Sequence, residues 1–282
     1  MMKLKNTIFN FFANIFYYLI AVPIVFLIDK IFLDYKVVGR ENIKKVPGGK
    51  ITISNHMHYL DCTMNGLANF PDYSYFVTLE SNFKIPIVGP LIKLLRAIPI
   101  PTKIEEKKRF YKYISKLLQE GETIHIYPEG ELRVYEKELN KFHKGAFAMA
   151  VENNVPIIPT VITTHSPEGI YKYIKTKPVM THVILEPIYP DLSIENKLER
   201  IEKLKQESYY RMKEVLERTE LCYEIGIEGR SLKSLFKKRN FKNIFGVSIY
   251  KKIVIRKSNV IKKHIAFFVA IYKHLLYNKH GK

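Results

Sequence analysis

The chain reads as an α/β protein: a mixed, largely parallel central sheet flanked by helices, preceded by a membrane-anchoring helical segment and followed by a basic amphipathic tail. Three observations predict this. Short runs rich in β-branched residues alternate with amphipathic helical stretches, the pattern of repeated βα units. An uncharged apolar stretch, Asn6 to Ile28, opens the chain. The net charge of +19 is concentrated at the far end: Gly229 to Lys282 holds 15 Lys and Arg and no Asp or Glu. With 282 residues, 47% apolar and 26% charged, the chain has the composition of a folded protein and the length for one or two domains.

The 23 uncharged residues at the N-terminus, bracketed by Lys3, Lys5, Asp29 and Lys30, match the roughly 20 that a membrane-buried helix needs. Asn10, Asn14 and Pro23 interrupt the run, and Pro23 predicts a kink. No small-x-small cleavage site follows, so the segment is read as retained. Lys3 and Lys5 on the cytoplasmic side of a straight span would put the body outside. A bent or re-entrant monotopic anchor on the cytoplasmic face avoids this.

Strands are then expected around Ile51–Ile53, Tyr75–Val77, Ile98–Ile100, Ile124–Ile126, 157–162 and His182–Leu185, with Pro47-Gly48-Gly49 as a turn. Helices are expected near 61–69, 86–95, 104–120 and 144–153, the third ending at Gly121. A longer helix, Ser193 to Leu221, carries Ile194, Leu198, Ile201, Leu204, Met212 and Val215 on one stripe, fit to dock on the sheet. The expected division is 1–35 anchor, 36–225 catalytic domain and 226–282 tail.

Within the tail, Ile261, Ile265, Phe268, Tyr272 and Leu275 recur at helical spacing with Lys262, Lys263 and Lys273 between them. An apolar stripe flanked by Lys fits an anionic membrane surface better than nucleic acid. Cys62 and Cys222 are too few for a disulfide framework, and Cys62 is expected to be a small buried residue.

The chemistry gathers at two expected strand ends. Asn55-His56-Met57-His58-Tyr59-Leu60-Asp61 places a histidine five positions ahead of an aspartate, and Tyr127-Pro128-Glu129-Gly130 ends a second strand. A histidine oriented by a carboxylate is a general base suited to neutral pH, and strand C-termini are where open α/β sheets hold their sites. With a helix starting near His56, Asp61 falls little more than one turn on. His56-x-His58-x-x-Asp61 echoes a metallohydrolase pattern but fails on register, because Leu60 and Asp61 stand where Asp and His are required; no metal is expected.

These blocks resemble those of the phospholipid/glycerol acyltransferase family of the PlsC type, whose lysophosphatidate acyltransferases carry Asn-His-x-x-x-x-Asp and Phe-Pro-Glu-Gly. Tyr127 stands in place of Phe. Val37–Asn42, Ile85–Gly89, Phe142–Phe147 and Val155–Pro159 resemble further blocks in the same order. The resemblance implies a membrane-bound enzyme that moves a fatty acyl group from acyl-CoA or acyl-carrier protein to a lysolipid hydroxyl. The default acceptor is 1-acyl-glycerol-3-phosphate, and no cofactor is implied. His56 and Asp61 would be catalytic, and Asn55, Glu129 and Gly130 would shape the acceptor site. The family's acceptor-binding Arg positions hold Thr102 and Leu132 here, with Lys103 and Arg133 each one residue beyond and Glu131 alongside. Lys103, Arg133 and Lys144 are therefore the expected phosphate cations. Rival readings are a different lipid acceptor, a non-catalytic basic membrane-binding protein, or a metal-dependent hydrolase.

Overall fold

The structure, a computed structural model, describes residues 2–136, 138–174 and 179–224, all within one compact unit. The basic tail expected over 226–282 lies outside the described residues. Two consecutive helices open the chain, α1 (Met2–Phe16) and α2 (Val22–Leu33), joined by a π turn, Tyr17–Ala21. Pro23 lacks the N–H that would bond four residues back. The π turn absorbs the mismatch, with the Val22 N–H reaching Tyr17 O five residues behind it. The helix therefore continues without reversing, so Pro23 does not break it and the segment does not re-enter as the orientation of Lys3 and Lys5 led one to expect.

Strands β1 (Lys36–Val38), β2 (Lys50–Ser54), β3 (Ser74–Leu79), β4 (Ile98–Ile100), β5 (Thr123–Ile126), β6 (Ile157–His165) and β7 (Val179–Ile184) form one sheet in the order β1-β7-β6-β2-β5-β3-β4. β6, β2, β5, β3 and β4 run parallel, and β7 pairs antiparallel with β6 and parallel with β1. The sheet is thus mixed and largely parallel. β2 lies between β5 and β6 with every residue buried, as a strand covered on both faces must be.

Helices cover both faces. On one side, α6 (Ile104–Gln119), α7 (Gly145–Asn153) and α9 (Lys197–Glu224) close a core containing Ile51, Ile53, Ile124, Ile157, Phe147, Ile114 and Met212. On the other, α4 (Asp61–Asn69) and α2 bury Met64, Leu67, Leu33, Tyr35, Ile162 and Met180. Short helices α3 (Glu41–Lys44), α5 (Val88–Leu94) and α8 (Tyr171–Ile174) fill connections. The expected 86–95 helix is shorter because Ile87 adopts φ 66°, and the Val88 N–H bonds Pro86 O at 2.7 Å in a strained γ-turn.

α9 starts later than expected. Asn196 Oδ1 accepts the Leu198 and Glu199 N–H groups at 2.9 and 3.3 Å, capping the helix. Leu198, placed on the docking stripe by periodicity, is 70% exposed, whereas Ile201, Leu204 and Met212 are buried. Cys62 is exposed on α4 rather than buried.

α2 is tied to the domain through α4. The Thr63 hydroxyl lies 2.8 and 3.0 Å from the two carboxylate oxygens of Asp29, and the Tyr18 hydroxyl donates to Pro71 O at 3.0 Å. The outward residues Phe11, Phe12, Leu19, Ile24, Phe26, Leu27 and Ile31 remain exposed.

Two histidines sit inside the sheet. His125 on β5 meets the Thr52 hydroxyl at 2.9 Å and His182 on β7 meets the Tyr35 hydroxyl at 3.0 Å. Burial holds His182 down to about 3 and His125 well below its ordinary value. Between the ordinary 6.5 and about 3, the unfolded chain binds more protons than the folded one, so stability is lost as pH falls through this window. His182→Gln should flatten the dependence of unfolding free energy on pH by up to about 1.4 kcal/mol per unit, read from urea denaturation between about pH 7 and 4.

Candidate active site

Parallel pairing of Ile53 with Ile126 brings the C-terminal ends of β2 and β5 side by side. The Asn-His block leaves one and the Tyr-Pro-Glu-Gly block the other. His56 is not in a helix: residues 55–60 form a loop, and α4 begins at Asp61 itself. Two of the interactions that hold this loop involve His58. The Leu60 N–H donates to His58 Nδ1 at 3.1 Å, and Asp61 Oδ2 lies 3.4 Å from the His58 N–H. His58 is therefore buried and occupied inside the loop, and burial lowers its ring below the ordinary value.

His56 Nδ1 meets Asp61 Oδ2 at 2.6 Å. The Asp61 side chain is 1% exposed and that of His56 23%. The carboxylate is thus removed from water while the imidazole reaches it. Accepting the Nδ1 proton fixes the tautomer, leaving the Nε2 lone pair as the basic one. The second carboxylate oxygen, Oδ1, accepts from the Tyr127 hydroxyl at 3.0 Å. The Tyr127 ring stacks on the imidazole with centroids 4.0 Å apart and planes 18° from parallel.

Glu129 is 6% exposed and spends both oxygens on backbone donors, the His56 N–H at 3.2 Å and the Asn140 N–H at 2.8 Å. Burial raises it above the ordinary carboxylate value, while the two N–H groups act in the opposite direction. It ties the end of β2 to the loop after β5. Gly130 closes the turn by donating to Tyr127 O at 3.2 Å. Its φ is +76°, a backbone conformation that favours glycine, and a Cβ there would come 3.1 Å from the exposed His143 ring. The same loop runs beside the histidine, with the Arg133 N–H bonding His56 O at 2.9 Å and the Tyr135 N–H bonding Met57 O at 2.8 Å.

The remaining expected residues divide. Asn55 is buried with both amide atoms on the Ile162 backbone, donating to its carbonyl and accepting from its N–H, each at 2.8 Å. It extends the β2–β6 pairing by one residue. Arg133 is brought beside His56 through its backbone, and its guanidinium pairs with Glu131 at 2.8 Å. Glu131 also accepts from Asn140 Nδ2, so its charge is compensated. Lys103 is exposed at the N-cap of α6, just after β4. Three strand spacings, about 14 Å, separate β4 from β2. Lys144 caps α7 and its ammonium turns to Glu202 of α9 at 3.3 Å. Sequence reasoning missed Asn65, Asn140 and the role of the Tyr127 hydroxyl. Tyr in place of Phe was visible, but the partner of its hydroxyl was not.

A histidine held by a buried carboxylate beside a Pro-Glu-Gly turn on the neighbouring strand is the arrangement expected from the resemblance. Residues 34–163 match the Acyltransferase family model. That stretch is similar to the acyltransferase family. The chain is 30% identical over 190 residues to a 1-acyl-sn-glycerol-3-phosphate acyltransferase of Saccharomyces cerevisiae, covering 65% of this chain and 61% of the yeast protein. It is 26% identical over 133 residues to a chloroplastic 1-acyl-sn-glycerol-3-phosphate acyltransferase of Arabidopsis thaliana, covering 46% of this chain and 36% of that one. The chain thus spans less than two thirds of these relatives. The fold is shared with the 1-acyl-sn-glycerophosphate acyltransferase PlsC of Thermotoga maritima. That match has a TM-score of 0.50 and 24% identity, and covers 77% of this chain and 97% of the other.

Within this domain, Asn55→Ala should cost about 2–4 kcal/mol of stability. It leaves a buried N–H and a buried C=O unpaired, and each such group is worth about 1–3 kcal/mol. The shift in the denaturant midpoint measures it.

Proposed function

We propose that the protein transfers a fatty acyl chain from a thioester to the free hydroxyl of a lysolipid, with 1-acyl-glycerol-3-phosphate as the default acceptor and phosphatidate as product. The observation that carries this reading is the 2.6 Å contact between His56 and the buried Asp61, at paired strand ends in a domain of acyltransferase type. The name borne by the yeast and plant relatives supports the acceptor.

In this reading the lysolipid hydroxyl approaches His56 Nε2 and gives up its proton as its oxygen attacks the thioester carbonyl. The new C–O bond forms, the C–S bond breaks, and the proton on the imidazolium passes to the departing thiolate. Asp61 stabilises the imidazolium in between. No acyl-enzyme forms, and no metal or other cofactor takes part. The donor is acyl-CoA or acyl-carrier protein, which puts the site on the cytoplasmic face. The helix over Ile8–Leu33, with mean hydropathy 2.3, supports membrane attachment. Its inner face is occupied by Asp29, Val22 and Val25 packing on the domain, while its outward residues are large and apolar. A helix docked in this way lies along the bilayer surface as a monotopic anchor. The basic tail, read from its composition, adds attraction to anionic lipid.

His56→Ala should lower turnover about 10²- to 10⁴-fold while leaving vesicle binding intact. The assay follows labelled acyl-CoA and acyl-carrier protein with a panel of lysolipids, and a loss under about threefold would sink the base assignment.

In this reading acceptor recognition rests first on Arg133, whose backbone bonds His56 O; Lys103, three strands along the sheet edge, and Lys144, paired with Glu202, are further cations for an acceptor headgroup that extends from the site. A phosphate of charge near −2 calls for cations and no uncompensated carboxylate, and Glu131 is compensated by Arg133 and Asn140. Arg133→Ala and Lys103→Ala should each lower kcat/KM for lysophosphatidate selectively, relative to a lysolipid lacking the terminal phosphate. Equal use of both acceptors by parent and variants would favour a different lipid acceptor.

A further inference from the structure

Asp61 needs more than one partner. A carboxylate 1% exposed has two oxygens to satisfy, and His56 occupies only Oδ2. Oδ1 is met by Tyr127, at the position where the family block has Phe. The tyrosine hydroxyl donates to Asp61 at 3.0 Å, with Asn65 Nδ2 lying 3.2 Å from it. Asn65 stands one turn beyond Asp61 on α4 and also bonds the Asp61 carbonyl at 2.9 Å and Ser54 Oγ at 3.0 Å. One side chain thus contacts both members of the pair, the carboxylate through its hydroxyl and the imidazole through its ring face.

We infer that Tyr127 is a positioning residue that sets both the geometry and the basic strength of the His56–Asp61 pair. The inference rests on the acyl-transfer reading, in which His56 is the base. The physical argument is one of competition. Charge that Oδ1 directs to the tyrosine proton is charge that Oδ2 does not offer to His56. The hydroxyl therefore weakens the pull of Asp61 on the imidazolium while preventing the carboxylate from rotating out of the ring plane. In a site shielded from water both effects are larger than on a surface. Burial and the Asp61 charge push the Tyr127 hydroxyl well above its ordinary value, so it remains a donor throughout the working range.

The other titratable groups around the pair are accounted for. In the loop after β2, His58 has one ring nitrogen taken by Leu60. On α4, Cys62 follows Asp61. From α2, Asp29 reaches the helix through Thr63. From β5, His125 lies beneath the Tyr127 ring at 4.7 Å, and past the strand stand Glu129, on the His56 N–H, and Arg133, paired with Glu131. None of these groups hydrogen-bonds the Tyr127 hydroxyl, whose partners are Asp61 and Asn65, so a shift relative to the parent reports the hydroxyl.

The test is the pH profile of kcat/KM for the parent, Tyr127→Phe and the protein with 3-fluorotyrosine at position 127, using one lysolipid and one thioester donor. Tyr127→Phe keeps the ring stack and deletes the donor. Its acid limb should move upward by about half a unit to one unit, with activity recovered as pH rises and acceptor KM unchanged. The fluorinated ring, a stronger donor, should move the limb downward. An acid limb in the same place for all three proteins, or a loss in Tyr127→Phe equal at every pH, would overturn the inference. His56→Ala, assayed alongside, separates the two levels. If it is inactive, such a result overturns only the role of Tyr127; if it is active, the base assignment itself fails.

Discussion

The bond between His56 and Asp61 depends on a piece of sheet geometry, the parallel pairing of β2 with β5 at the centre of the sheet. That pairing ends two strands at the same level. It lets one chain segment supply the imidazole and carboxylate, and the next supply the ring that stacks on one and the hydroxyl that holds the other. Glu129 completes the junction by accepting the His56 N–H. Weakening the strand pairing would move all four groups at once. For this reason β2 is buried along its whole length, and Asn55 prolongs its bonding to β6 beyond the last strand residue.

Burial divides the ionisable groups by task. Asp61 is almost wholly enclosed yet meets three donors, so both its oxygens have hydrogen-bond partners. Glu129 has two backbone donors and holds a loop in place. His125 and His182, enclosed with one polar neighbour each, are kept neutral and give the sheet interior its acid sensitivity. His56 alone among these has a ring that is both partnered on one side and open on the other, and that asymmetry is what base catalysis requires.

The N-terminal helix joins attachment to chemistry by a short route. Its Asp29 bonds Thr63, two residues from Asp61 on the same helix. The apolar face that would meet lipid and the carboxylate that orients the base are therefore linked through α4. The π turn ahead of Pro23 keeps the helix continuous along this path, so the proline shapes the anchor without severing it.

Much of this was legible in the sequence because it is set by local periodicity. Strands β2 to β7 fall on short runs of β-branched or aromatic residues, and α4, α6 and α7 lie within a residue of their expected limits. The spacing of His56 and Asp61 and the Tyr-Pro-Glu-Gly turn were visible as residue types in order. Local pattern could not say that His56 stands in a loop closed by His58, that Leu198 faces solvent after a late helix start, or that Pro23 is absorbed by a π turn. Nor could it assign partners across strands. Asn55 to Ile162, Glu129 to Asn140 and Tyr127 to Asp61 are contacts between residues 11 to 107 positions apart. Residue order sets which groups are available and which strand ends carry them. Their hydrogen bonds are fixed by packing, because a buried polar atom takes whichever partner the folded chain brings within reach.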